Sequence, residues 1–296
     1  MSDISSESGF INEPARQTPV YGAFDVVVLG GGPSGIAAAI SAAKNGQSTL
    51  LLEAYGFLGG MGTAAGVTNF CGLYANVYGK FERVVRGVAD VILDRMQKLD
   101  GLSEPHIMFG GKTAAQAYDN ASLKIAADQA VVASGAKILF HAHACGVVMK
   151  SDKEIAAILI ETKSGRQAVI GKVFIDCSGD GDLSAHAGAP FEKGSDGHEM
   201  MYPSTLFRVN NVDPVRAGDA YNHFGRLMDE AQARGRKFAR KTPIIRPQKN
   251  PVEWRANVTQ LSRADGGPVD GTDAQQLSDA ELDGRRQIAD FIGFLR

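Results

Sequence analysis

The chain has 296 residues, 44% hydrophobic and 22% charged, with a formal net charge of -2. This length and composition suit one large domain or two in close contact around a sizeable core. The near-balanced charge excludes the broad positive field of a nucleic-acid binder. Cys71, Cys145 and Cys177 stand far apart with no CxxC pair, which excludes a zinc ribbon or a disulfide scaffold. No metal site is expected, and the sparse thiols fit a reducing cytoplasm. No apolar run reaches the roughly 18–20 residues of a membrane span. Residues 1–22 lack the apolar stretch of a secretory signal and read as a flexible tail.

Phe24 to Leu29 (FDVVVL) is a short, nearly continuous apolar run, which suits a central parallel strand buried on both faces. Gly30 to Gly35 follow, then an Ala-rich stretch from Ile36 to Asn45 that predicts a helix closed by Gly46. Ser48 to Glu53 (STLLLE) predicts a second strand, completing a βαβ unit. Apolar residues at Val84, Val88, Val91, Ile92 and Met96 predict a helix over Phe81 to Leu99, and Asp119 to Ser134 predicts another. Strands are predicted over 137–141, 143–150, 154–162 and 167–177. Polar turns join the middle ones into an antiparallel meander, and Val173 to Cys177 reads as a further buried parallel strand. Residues 190–277 have mixed polarity, the only Trp and a predicted helix near Val215 to Arg234; they read as a separate substrate or cap layer. Ser278-Asp279-Ala280-Glu281 has the spacing of a capping box and predicts a helix over 278–296.

Gly30, Gly32 and Gly35 form G-x-G-x-x-G between strand and helix. The first permits the tight turn, the second admits a pyrophosphate against bare backbone, and the third lets helix and strand pack closely. The helix start offers unpaired N–H groups and a partial positive charge to phosphate. Glu53 closes the next strand, where a carboxylate can accept both hydroxyls of an adenosine ribose. The loop alone does not choose between FAD and NAD.

Three stretches carry a family resemblance: DVVVLGGGPSGIAAAISAAKNG, LLLEAYGFLGGMGTAAGV and VFIDCSGDGDLSAHAGAPFEKG. They resemble the bacterial FAD-dependent oxidoreductases related distantly to the fumarate reductase and glutathione reductase flavoproteins. The resemblance covers residues 24–210, and Cys177-Ser178-Gly179-Asp180 departs conservatively from the family's Ala-Thr-Gly-Asp. It implies an α/β fold: a Rossmann-like FAD-binding domain with an antiparallel β-meander over 23–189, and an additional α+β substrate domain over 190–277. It implies that Gly30, Gly32, Pro33, Ser34 and Gly35 face the pyrophosphate of FAD and Glu53 the ribose. Gly60, Met61 and Thr63 would face the middle of the cofactor, Ala144 the adenine, and Ser178, Gly179 and Asp182 would lie near the FAD.

In that family the chain returns to the nucleotide domain after the helix near 280, and no such stretch follows here. Two expectations follow, a truncated product or, preferred, a second polypeptide that completes the flavin site, as in the two-subunit limonene dehydrogenase, whose larger subunit this chain resembles in size and break point. Such an enzyme takes hydride from an allylic methyl group of a small apolar substrate, hydroxylates it with water, and passes electrons to another acceptor. Asp180, His186 and Cys71 are the candidates for catalytic groups; the plainer readings are a helix cap, a solvent-facing histidine and a buried thiol. Two alternatives stand beside this one. The chain could be a non-catalytic nucleotide-holding subunit, or it could be a thiazole-synthase-like NAD-binding enzyme, against which the SGDGD stretch argues.

Overall fold

The structure of the protein, a computed structural model, describes residues 13–195 and 200–296. Its frame is the predicted βαβ unit: β1 (Val20–Leu29), α1 (Pro33–Lys44) and β2 (Thr49–Leu52). β1 opens at Val20, so the strand takes in three residues expected in the tail; residues 1–12 lie outside the described ones. Val26 to Leu29 and Leu50 to Leu52 are buried, as a strand covered on both faces requires. α1 begins with Pro33, whose missing N–H is not needed there. It lays Ile36, Ala39 and Ile40 on the sheet, and its small side chains let it sit close.

The next segment is an excursion of short strands: β3 (Asn69–Cys71), β4 (Tyr74–Val77) and β5 (Lys80–Arg83), then α2 (Val88–Lys98), β6 (His106–Met108) and β7 (Thr113–Ala117). β3, β7 and β6 form one antiparallel sheet, and β4 and β5 form a hairpin. The helix expected from Phe81 therefore starts only at Val88. Lys80 to Arg83 are drawn into the hairpin by a left-handed turn at Tyr78 and Gly79. α3 (Asn120–Ala133) is capped by Asp119, whose carboxylate accepts from Ser122 N, and leads to β8 (Lys137–Leu139).

β9 (His143–Ser151), β10 (Glu154–Thr162) and β11 (Gly165–Asp176) form the expected meander. The six-stranded sheet runs β8-β2-β1-β11-β10-β9, with β8, β2, β1 and β11 parallel. β11 serves twice. Its first half pairs with β10, and Gly171 to Asp176 pair only with β1 among the described strands. Val173 is 52% exposed, whereas its β1 partner Val26 is buried. The reading of this stretch as a buried strand is thus corrected in part: it is parallel and its Phe174, Ile175 and Cys177 pack on the core, but one edge is open and Val173 is exposed. α4 (Asp182–His186) follows, and its Leu183 closes the core under the meander.

The remainder builds a second small sheet, β12-β14-β13, from β12 (Phe207–Val209), β13 (Ile244–Pro247) and β14 (Trp254–Asn257). The helix expected over Val215 to Arg234 is broken. α5 (Pro214–Ala217) stops at Gly218, which takes φ +50°, and α6 (Phe224–Ala233) starts afresh. α7 (Ala274–Leu295) starts four residues before the predicted capping box. Asp273 is its cap and accepts from Gln275 N and Gln276 N, while Ser278 sits inside the helix and donates to Ala274 O. Phe291 of α7 packs with Phe224, Trp254 and Ile245 in one aromatic core, so this helix belongs to the same layer as the small sheet.

Candidate functional site

A cleft of about 850 Å³ runs over the carboxyl ends of β1, β2 and β11, where open α/β sheets bind ligands. It contains the predicted Gly30, Gly32, Pro33, Ser34, Glu53, Gly60, Met61, Ala144, Ser178, Gly179, Asp180 and Asp182. Sequence reasoning did not place Leu261 and the α7 residues Leu277, Ala280 and Glu281 there, yet they close the far wall.

The glycines of the loop divide by physical cause. Gly30 has φ +97°, and a Cβ there would lie 2.2 Å from Cys177 O. A Cβ on Gly35 would lie 1.7 Å from Gly30 O, so helix and strand touch at that point. Both are required by the fold itself. Gly32 is different: its backbone is extended, and a Cβ would meet only Gly60 Cα at 3.9 Å. Nothing in the protein demands a glycine there. The space it leaves opens into the cleft, at a helix start that no side chain caps. A bare backbone aimed at open space beside uncapped helix N–H groups fits a pyrophosphate.

Glu53 is buried, and its carboxylate is already engaged. Oε2 accepts from Gly31 N at 2.7 Å and Oε1 from Tyr55 N at 2.8 Å. It therefore clamps the glycine loop to the end of β2, a role the sequence did not disclose. Each oxygen keeps a second lone pair, and Glu53 is among the residues that line the cleft. Asp176, overlooked in the sequence, does the same for the second motif. It accepts from Ser178 N and Oγ (3.1 and 2.7 Å) and from Ser184 N and Oγ (2.9 and 2.8 Å). Burial pushes its pKa up, but these hydrogen bonds outweigh burial and hold the carboxyl below its ordinary range. Ser178 Oγ in turn accepts from Asp182 N, so that hydroxyl holds the turn into α4.

Two residues of the expected cofactor loop lie away from the cleft lining. Thr63 faces inward: it is buried, donates to Leu58 O at 2.8 Å and lies outside the cleft, because the left-handed turn at Gly59 folds the loop over it. Gly35 likewise lies beneath the loop against Gly30 O and does not line the cleft. Among the catalytic candidates, Asp180 is exposed at the cleft wall, and His186 is exposed at the end of α4 and outside it. Cys71 is exposed, not buried; it lines a second cavity of about 570 Å³, walled mainly by apolar side chains of α1, α2 and the strands after Gly62. The two cavities share Pro33 and Met61. No group of metal-ligating side chains and no helix long and apolar enough to cross a membrane occur among the described residues.

Sheet order, glycine loop and cleft define a Rossmann-type dinucleotide-binding protein. A sequence model of the FAD dependent oxidoreductase family matches residues 25–296, and the chain belongs to that family, whose cofactor is FAD. It is 33% identical over 190 residues to the thiamine thiazole synthase of Methanococcus vannielii, covering 63% of this chain and 60% of that protein. It is 37% identical over 86 residues to the dihydrolipoyl dehydrogenase of Trypanosoma brucei brucei, covering 27% of this chain and 18% of that one. The chain thus spans about three fifths or less of the curated relatives it matches. A geranylgeranyl bacteriochlorophyll reductase-like protein of Thermoplasma acidophilum shares the fold, with TM-score 0.51, 16% identity, and coverage of 80% of this chain and 56% of that one.

Proposed function

We propose that the chain is the nucleotide-holding part of an FAD-dependent dehydrogenase acting on a C–H bond of a small, largely apolar substrate. The observation that carries this reading is the apolar cavity of about 570 Å³ that meets the cofactor cleft at Pro33 and Met61. That volume suits a small organic molecule. FAD, when bound, supplies a two-electron acceptor for hydride. The backbone around Gly32 and the uncapped start of α1 hold its pyrophosphate, and Glu53 offers its free lone pairs to the ribose. Ala144 borders the adenine, and Gly60 and Met61 guide the cofactor toward the apolar cavity.

An allylic methyl group, as in the monoterpene limonene, has the apolar chemistry this cavity favours. Loss of hydride leaves a delocalised cation, water adds to it, and the water's proton passes to a base such as Asp180. The open half of β11, beside Ser178, supports a further polypeptide segment pairing there, supplied in the heteromeric reading by a second subunit. Anaerobic mixing of the FAD-loaded protein with limonene tests the reaction. Bleaching of the flavin absorbance is expected; a flavin that stays oxidised with limonene and with other allylic hydrocarbons contradicts it.

A second reading, a thiazole-synthase-like enzyme that binds NAD, is favoured by the match to the Methanococcus vannielii protein. Extraction of the bound nucleotide separates the two: FAD supports the first and NAD the second.

A further inference from the structure

Beside Glu53 the cleft is lined by Ala54, Tyr55, Ala142, His143 and Ala144. Two backbone hydrogen bonds bring these segments together. Ala142 N donates to Glu53 O at 3.0 Å, and His141 N donates to Tyr55 O at 3.3 Å. A Cβ on Gly56 would lie 2.8 Å from the His141 ring, so the loop after β2 rests directly on the turn that enters β9. Three alanines leave room in this part of the cleft, and Tyr55 and His143 bring rings to it.

Tyr55 offers the cleft its ring. Its N–H is spent on Glu53 Oε1 at 2.8 Å and its carbonyl on His141 N. The residue is 56% exposed although it lies in a cleft. Phe57 backs it: the two ring centroids are 5.7 Å apart with planes 10° from parallel, an offset stack. Lys124 Nζ lies 3.5 Å from the Phe57 centroid, a cation–π contact that ties Phe57 to α3. A lone exposed aromatic residue on a protein surface is ordinary. Here the ring is braced by a second ring and stands two residues from the carboxylate assigned to the ribose.

Resting on the FAD reading of the cleft, we infer that Tyr55 is the stacking platform for the adenine ring. With the pyrophosphate at Gly32 and the ribose at Glu53, the base comes next along the cleft, between the Tyr55 ring and the small side chains of Ala142 and Ala144. A purine is flat, and its face stacks on an aromatic ring with no demand for a hydrogen bond. Tyr55 therefore supplies affinity for an aromatic base. The glycine loop and Glu53, which meet phosphate and sugar, do not.

The test compares ADP with ribose 5-diphosphate, which has the same phosphates and sugar and no base, by calorimetric titration of the full chain freed of nucleotide. ADP is expected to bind at least about fivefold more tightly, the low end of a base–aromatic stack. In proton NMR the adenine protons are expected to move upfield under the ring current of Tyr55. Tyr55→Ala is expected to lose both the ADP advantage and the upfield shift while binding ribose 5-diphosphate as the parent does. Tyr55→Phe is expected to keep both, because the ring and not the hydroxyl makes the stack. Tyr55→Leu keeps apolar bulk without a ring current; it is expected to lose the shift and most of the advantage, and it keeps the test decisive if the alanine variant folds poorly. Equal binding of the two ligands, adenine protons unshifted in the parent, or an ADP advantage untouched in both the Ala and the Leu variant overturns the inference and leaves the phosphate loop standing. Failure of both ligands to bind overturns the reading of the cleft, and this inference with it.

Discussion

Gly32 separates what the fold needs from what the cofactor needs. Gly32→Ala places a methyl where the protein offers open space, its nearest neighbour being Gly60 Cα at 3.9 Å, and the extended backbone at Gly32 admits any residue. Alanine is a poorer helix cap than glycine by several tenths of a kcal/mol. Against that, alanine gains about 0.4–1 kcal/mol because the unfolded chain has less freedom. The net change in stability is therefore within about 1 kcal/mol of zero. The same methyl occupies space expected to hold pyrophosphate, and shifting the phosphates off the helix start weakens charge-assisted hydrogen bonds worth about 1.5–3 kcal/mol each. One such loss means a Kd for FAD weaker by roughly 10- to 100-fold. Gly35→Ala is the contrast, since its Cβ would sit 1.7 Å from Gly30 O and the helix would have to move. The assay is a urea melt and an FAD titration on each variant. Normal stability with lost FAD is expected for Gly32→Ala, and lost stability for Gly35→Ala. Undiminished FAD affinity in a folded Gly32→Ala protein would refute the assignment of the loop to phosphate.

Glu53→Gln replaces one carboxylate oxygen by an amide that faces the N–H of Gly31 or Tyr55. It is expected to cost about 1–3 kcal/mol in urea and to weaken FAD binding; unchanged stability contradicts the clamp. Thr63→Val removes the bond to Leu58 O and is expected to cost about 1 kcal/mol with FAD binding nearly intact. A loss of FAD with normal stability would place Thr63 on the cofactor after all. The folded pKa of Asp176 is depressed, so its stabilisation is complete above the ordinary aspartate pKa and is lost as pH falls through the lower folded value. Melting curves between roughly pH 6 and pH 3 should fall less steeply for Asp176→Asn than for the parent; parallel curves would deny Asp176 this role. Val173→Lys puts a charge on the open half of β11 and should leave the melting of the chain unchanged while weakening association with any pairing segment. A changed melt with unchanged association counts against that edge as a docking strand.

The parts legible in the sequence were those set by short-range pattern. Val26 to Leu29, the spaced glycines and Leu50 to Glu53 lie within thirty residues, and each local choice agrees with the fold. Strands of three to five residues around Asn69, Tyr74, His106 and Thr113 escaped because so short a run has no clear period and is made by pairing, not propensity. The capping-box reading at Ser278 failed because Asp273 offers its own carboxylate earlier, and Gln275 to Leu277 continue the helix without a break. Within the site, sequence named the loop and second-motif residues of the wall but missed Leu261 and the α7 residues, and it did not disclose the internal hydrogen bonds that hold the site. That Glu53 holds Gly31, that Thr63 turns inward and that Asp176 organises two serines follow from distances no spacing rule encodes. Arg208, Arg246 and Arg255 look like unrelated surface charges until strand register sets them side by side.

The account stands most directly on where the adenosine diphosphate half of the cofactor lies. A backbone amide NMR titration of the chain with ADP measures this without needing the flavin end to be complete. The largest shifts should fall on Gly30, Gly31, Gly32 and Ser34, followed by Glu53 and Ala144. Shifts confined to other surfaces, or none at ADP concentrations that saturate related nucleotide sites, would contradict it.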